Sequence, residues 1–399
     1  MTKRVALALL CLVLVCGMSP WFATAAVLSD MAREGGFGPV RQALLISGVQ
    51  AGFVIGAVSS AVLGLSDRFD PRRVIACAAL MNAAATAGLF LVPLGSNAAI
   101  ALRVLAGAGF AGIYPPGMKI AVGWSQRDRG FLVGLLVAAL TTGSAMPYLF
   151  AWAGGTAWRP VVAAAAIASL LAALGSFALR LGPHHVRATA FSARAIGLMW
   201  SDQRIRSATG GYLGHMWELY AMWGWIGTAA AIGFGRRMPG DQAGQLAAMT
   251  AFLAIALGAA FCAPAGRLAD RVGKARVSAW AMLGSGSMAI AVALSFGGPV
   301  WLSFLLILAW GALVIPDSAQ FSAMIADAAP PEVAGSLMTM QTALGFALTI
   351  LTVQATPVVA GWIGWPGTLA LMALGPVMGI AALRPVLRRK AGPVPGAGA

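Results

Sequence analysis

The chain has 399 residues, of which 59% are hydrophobic and only 10% charged, and its mean hydropathy is +0.83. A water-soluble fold cannot hide that much apolar side chain, which excludes a soluble enzyme and a secreted disulfide scaffold. The net charge of +15 would suggest nucleic acid as a partner in a polar protein, but here the positions of the cations decide otherwise.

Apolar runs of bilayer-crossing length predict twelve helical spans, near residues 5–28, 42–65, 73–94, 98–122, 131–153, 159–181, 207–234, 243–265, 276–297, 300–326, 335–359 and 367–386. Span 1 has a competing reading, because Lys3 and Arg4, an apolar stretch and Ala23-Thr24-Ala25 resemble a signal peptide. The apolar run continues past that site to Leu28, and cleavage would leave unequal halves. Pro115, Pro116, Pro147, Pro264 and Pro316 are expected kinks. Trp124, Trp152, Trp158, Trp200, Trp301 and Trp362 are expected interfacial aromatics. The four cysteines show no C-x-x-C spacing, so neither a disulfide framework nor a zinc site is indicated.

Of the 27 cations, 21 fall at the two ends of the chain and in every second gap between spans, and 5 in the other gaps. This positive-inside asymmetry predicts a multi-pass membrane protein with both termini in the cytoplasm; the expected location is a bacterial cytoplasmic (inner) membrane. Residues 182–206 form the longest polar connection. They divide the chain into an N-terminal bundle (1–181), a cytoplasmic linker (182–206), a C-terminal bundle (207–386) and a tail (387–399). Phe191, Ala195, Leu198 and Met199 recur at helical spacing within the linker, the mark of a basic amphipathic helix.

The loop between spans 2 and 3 repeats between spans 8 and 9 at a constant offset of 203 residues: Leu65, Asp67, Arg68 and Arg73 match Leu268, Asp270, Arg271 and Arg276. A duplicated six-span unit is thus written in the sequence. The second copy, Gly266 to Arg276, resembles the G-x-L-A-D-R-x-G-R-K loop of the major facilitator superfamily. In the first copy Leu63 and Asp70 stand where that loop has glycine. Arg103-Val104-Leu105-Ala106-Gly107-Ala108-Gly109 is similar to the family's R-x-x-x-G-x-G in span 4. The resemblance implies an all-α membrane protein of twelve transmembrane helices, in two pseudo-symmetric six-helix bundles rocking about a central site lined by spans 1, 4, 7 and 10. It also implies a gating latch in the repeated loops, formed by Asp67, Arg68, Arg72 and Arg73 in one and Asp270, Arg271, Lys274 and Arg276 in the other, which biases the outward-open state. The bland alternative is a topogenic basic loop.

Away from the span ends lie four ionisable side chains, Arg103, His215, Glu218 and Asp317, each costly in lipid unless it faces a cavity or a partner. Tyr212, His215 and Glu218 are three apart on one helix face. Glu218, with the imidazole beside it, and Asp317 after Pro316 are the proton-coupling candidates, together with His215. Interhelical glue is the structural alternative for Glu218, and a gate near the cytoplasmic mouth for Asp317. Arg103 either binds a carboxylate in the cavity or pairs with Asp30 at the end of span 1. Tyr114, Tyr212, Trp217 and Gln320 complete the substrate-contact candidates.

These readings predict a secondary transporter, not an enzyme, that moves a small polar metabolite such as an organic anion by proton-coupled alternating access. Spans 7 and 10 also resemble facilitators of the nitrate/nitrite-like group, but that group's cavity arginines in spans 2 and 8 and its glycine-rich signatures are missing. Drug/proton antiporters carry G-x-x-x-G-P-x-x-G in span 5, where this chain reads Thr142-Gly143-Ser144-Ala145-Met146-Pro147. Efflux of amphipathic compounds is the alternative if Trp217, Trp223, Phe321 and Met338 line a wide cavity. An intramembrane enzyme built on His215 and Glu218 lacks a third zinc ligand within the spans, and a transporter-like sensor would keep the fold without turnover. A monomer is expected, in contact with substrate, protons and lipid; no cofactor, metal or nucleic acid is implied.

Overall fold

The structure, a computed structural model, describes residues 2–63, 68–124, 129–183 and 194–388. Asp67, Phe191 and the tail beyond Arg388 lie outside the described residues. All regular elements among those described are helical, as lipid requires of a chain that must satisfy its own backbone. Among the described residues nine stretches are long and apolar enough to cross a membrane, and the longest, Val333–Arg388, holds two spans joined at Gly364 with φ +73°. Span 1, which is interrupted, and span 7, Gln203–Phe234 with its polar interior, complete the twelve.

Three spans lose three or more residues of helix mid-way, and their sequences show why. Span 1 leaves helix at Met18 and resumes at Ala23; Pro20 has no N–H to continue the ladder. Span 4 runs Asn97–Phe110 and Tyr114–Val122, with Pro115 and Pro116 in the first turn of the second piece, where a missing N–H costs nothing. Span 10 runs Val300–Val314 and Ser318–Ala328 around Pro316. Pro147 and Pro264, by contrast, stay inside the continuous helices Arg129–Gly154 and Gly240–Val272.

Close crossings within each half rest on glycine. A Cβ on Gly52 of span 2 would lie 1.9 Å from the Val104 carbonyl oxygen, and one on Gly107 of span 4 would lie 2.1 Å from that of Val49. Gly311 of span 10 stands likewise 2.2 Å from the Ala254 oxygen of span 8, so the two halves use one device at equivalent places.

The repeated loops turn by different means. Gly273 precedes span 9 with φ +100°, a conformation that needs no Cβ. Asp70, which stands at the matching place, keeps φ −61° and caps span 3 through its carboxylate, accepting from Arg72 N at 2.9 Å. The Arg72 guanidinium beside Asp70 holds that carboxyl below its ordinary range, and its Nη1 reaches the Leu179 oxygen at the end of span 6 at 3.4 Å. In the linker, helix Arg194–Ser201 puts Met199 into a cluster with Val333 and Leu337 of span 11.

Of the expected interfacial tryptophans, Trp152, Trp200, Trp301 and Trp362 are exposed. Trp158 is a correction: it is buried at the edge farthest from the termini, stacked on Phe90, with its N–H groups on Asp30 and Glu34. Arg159 grips Glu34 with two hydrogen bonds, of 2.6 and 2.7 Å. That grip, then the Trp158 donor, lowers the Glu34 pKa, so the stability it contributes is present above the ordinary Glu value of about 4.3 and is lost as pH falls through the lowered one. Glu34→Gln should therefore lower Tm at neutral pH and match the wild type in strong acid. Melting curves at about pH 7 and about pH 3 check this, and an equal gap at both refutes it.

Candidate functional site

Span 7 has two working faces. Along the first, Tyr212, His215 and Glu218 all meet span 10: Tyr212 lies edge-on to Phe321, His215 is beside Asp317, and Glu218 is bonded to Trp310. The three-residue spacing made this face legible, and the break in span 10 brings Asp317 into register with it.

Glu218 is 1% exposed, and both its oxygens are occupied. Oε1 accepts from Trp310 Nε1 at 2.6 Å and Oε2 from Ser285 Oγ of span 9 at 2.8 Å. Ser285 Oγ also stands 3.2 Å from the Met282 oxygen. The hydroxyl can donate to a carboxylate, or accept from a carboxylic acid and turn its own proton to Met282. Both protonation states of Glu218 are thereby satisfied without moving a helix.

His215 and Asp317 are 1% and 2% exposed, with Nδ1 and Oδ1 2.9 Å apart. The atoms are at ion-pair distance, yet Asp317 Oδ1 and His215 Nε2 have no partner of hydrogen-bond geometry. Such a pair is under-satisfied as it stands and has capacity for a new contact.

The second face of span 7 carries Tyr220, Trp223, Gly224 and Gly227 to the N-terminal half. Tyr220 lies 5.8 Å from the Trp21 ring of span 1, and Trp21 is 5.7 Å from Phe346 of span 11. Phe53 of span 2 is 4.3 Å from Phe346. Tyr148 of span 5 donates to the Trp223 oxygen at 2.6 Å, and Gln354 Nε2 of span 11 donates to Ser47 Oγ of span 2 at 2.8 Å. These contacts form a seam between the bundles, from its centre toward the edge away from the termini.

Arg103 is fully buried. Of the two readings open for Arg103, the pairing with Asp30 does not occur: Asp30 is taken by Arg33 and the Trp158 N–H. Arg103 instead spans the break in span 1, Nη2 donating to Pro20 O at 3.0 Å and Trp21 O at 2.7 Å, and Nε to Leu45 O at 3.4 Å. Breaking a helix frees carbonyls, and a guanidinium on the neighbouring span satisfies them. Nη1 is left without a partner.

The remaining candidates are dispersed. Tyr114 opens the second half of span 4, packed against the central core. Gln320 is buried and faces Gly266 of span 8. Trp217 backs onto Gly375 of span 12, away from the seam. Phe321 is enclosed within the C-terminal half and Met338 joins the Met199 cluster, so of the four side chains expected along a wide apolar cavity only Trp223 faces the seam. In the loops, Arg68, Arg73, Asp270, Arg271 and Arg276 are exposed, and Lys274 pairs with Asp327 at the end of span 10. Asp270 has no ion pair or side-chain hydrogen bond among the described residues. Residue-level reading missed Ser285, Trp310, Phe53, Phe346 and Gln354. A tryptophan deep in a span, whose N–H needs an acceptor, was the available signal for Trp310.

Two six-helix halves meeting along a seam, with ionisable groups buried beside it, make a secondary transporter. The chain belongs to the Major Facilitator Superfamily, whose family model matches residues 9–353. Among solved structures it is similar to the xylose transporter XylE from E. coli in a partially occluded inward-open conformation, at 13% identity and TM-score 0.74 over 98% of both chains. It is also similar to the nucleoside transporter NupG, at 14% identity and TM-score 0.75 over 98% of this chain and 100% of that one. A third relative in fold is a bacterial homolog of the human lysosomal transporter Spinster, at 13% identity and TM-score 0.76 over 97% of both chains. No protein of curated function matches the chain in sequence.

Proposed function

We propose that this protein moves a small organic anion across the bacterial inner membrane by proton-coupled alternating access. The observation that carries the reading is a buried set in one half: Glu218 and His215 on a single face of span 7, and Asp317 facing them from the break in span 10. A group that can load and unload a proton there is joined through span 7 to the seam along which the halves part. Arg103, a buried cation whose partners are all neutral carbonyls, supports an anion as cargo, since an unpaired buried guanidinium gains most from a negative partner.

With both termini cytoplasmic, the contacts of Ser47, Tyr148, Trp223 and Gln354 lie toward the outer side, the arrangement of a transporter closed to the exterior. The exposed Asp270, and Lys274 held by Asp327 within its own bundle, suit a latch released in that state. The seam's rings favour a second reading, efflux of amphipathic compounds, which requires uptake of cationic or neutral drugs into inverted vesicles.

The experiment is flux in proteoliposomes with an imposed pH gradient. A radiolabelled panel of small carboxylates, sugars and cationic dyes should show acid-driven accumulation of a carboxylate, abolished by a protonophore. Transport of a carboxylate that ignores the pH gradient would remove the coupling; transport of dyes alone would favour the second reading.

A further inference from the structure

The seam holds more than two bundles in contact. Trp21, Phe22, Phe53 and Phe110 from the N-terminal half interlock with Tyr220 and Phe346 from the other, at centroid separations of 4.3 to 6.2 Å. All six are buried. When the halves part, these rings become facing walls, and flat apolar walls bared to water are unfavourable unless something flat covers them.

The polar atoms at the seam are unbalanced in one direction. Trp21 Nε1 and Trp223 Nε1 are buried donors without an acceptor. Gln50, fully buried, lacks partners for both its amide nitrogen and its oxygen. It sits three residues from Ser47 and from Phe53, hence on the face of span 2 that meets span 11. Arg103 Nη1, on the guanidinium bonded to the Trp21 oxygen, is a fourth donor without a partner. Unmet donors thus outnumber the one unmet amide acceptor, and buried groups in that condition mark a place that a ligand or water completes. Aromatic walls with several unmet donors among them define a complementary molecule: a planar ring carrying an acceptor-rich, negatively charged end.

We propose that the cargo is an aromatic carboxylate, its ring slotted among Trp21, Tyr220 and Phe346 and its carboxylate accepting from the Trp21 indole and the Arg103 guanidinium. This rests on the organic-anion reading above and narrows it to one class.

Three probes of matched size test it by tryptophan fluorescence and calorimetry on the purified full chain: benzoate, cyclohexanecarboxylate and benzylammonium. Benzoate should bind roughly tenfold tighter than cyclohexanecarboxylate, which has the charge without the π face, and benzylammonium, which offers only donors, should not bind. Trp21→Phe keeps a ring and removes one donor; it should weaken benzoate roughly tenfold with its ring preference retained. Equal binding of the two carboxylates, or binding of benzylammonium, overturns the proposal. Should Trp21→Phe fail to fold, the wild-type panel still decides. Benzoate binding with ring preference but no flux removes the transport reading and keeps the site. Flux of aliphatic acids without ring preference removes the site and keeps the transport reading.

Discussion

Glu218→Gln is expected to remove one proton from the coupling stoichiometry while leaving the transporter folded. A pH gradient of one unit stores enough free energy for about tenfold accumulation per coupled proton. If Glu218 and Asp317 each carry one, the wild type accumulates substrate about a hundredfold, each single variant (Glu218→Gln or Asp317→Asn) about tenfold, and the double variant not at all. The amide fits: its oxygen accepts from Trp310 Nε1, its nitrogen donates to Ser285, and Ser285 turns to the Met282 oxygen 3.2 Å away. The variant thereby mimics the protonated state. Exchange of labelled for unlabelled substrate without a gradient, which needs no net proton movement, should persist. Accumulation by Glu218→Gln equal to the wild type would leave Glu218 as glue between spans 7, 9 and 10.

Truncation at the neighbouring pair should behave differently. His215→Ala leaves Asp317 buried with no imidazole beside it, and stranding one member of a buried polar pair costs about 1–3 kcal/mol. A purely structural pair would show that loss in melting temperature alone; a coupling pair shows altered stoichiometry in the isosteric Asp317→Asn as well.

What the sequence disclosed follows the physics of its solvent. Lipid penalises every ionisable side chain, so Arg103, His215, Glu218 and Asp317 stood out singly against a run of apolar residues, and the period of the helix put Tyr212, His215 and Glu218 on one face. The same penalty says that a partner must exist without saying which one. Arg103 illustrates the gap: a carboxylate such as Asp30 looked like the natural partner, but the carbonyls freed where span 1 breaks at Pro20 lay nearer. Those carbonyls belong to the backbone, which is identical at every position and leaves no mark in the residue string. The seam was hidden for a related reason. Phe53, Phe346 and Gln354 are ordinary residues for a span, and only the approach of two bundles distinguishes them from neighbours that face lipid. The repeated loop shows the converse case, in which a departure from the family's glycine at Asp70 could be seen but its remedy, a carboxylate cap on span 3, required the fold.

Gly107→Val is expected to be among the most destabilising single substitutions within the membrane, with Gly311→Val its counterpart in the other half. Two effects oppose each other. Replacing glycine inside a helix restricts the unfolded chain and by propensity alone is worth up to about 1 kcal/mol. Against that, the new Cβ would stand 2.1 Å from the Val49 oxygen at Gly107, or 2.2 Å from the Ala254 oxygen at Gly311. The obstacle is backbone, so no rotamer change relieves it; spans 2 and 4, or 8 and 10, must separate. Forced separation at a tight crossing costs at the top of the overpacking range, about 3 kcal/mol or more, so the clash wins. It also moves Arg103, one turn before Gly107, away from the carbonyls of Pro20 and Trp21, and the break in span 1 then loses its partner. Gly134→Ala supplies the control, since a Cβ there meets nothing within 4 Å, and it should keep or raise the melting temperature in detergent. A Gly107→Val protein that elutes as a single species and melts within about a degree of the wild type would show that the crossing yields, and that the glycine of the span 4 motif is not there for close approach.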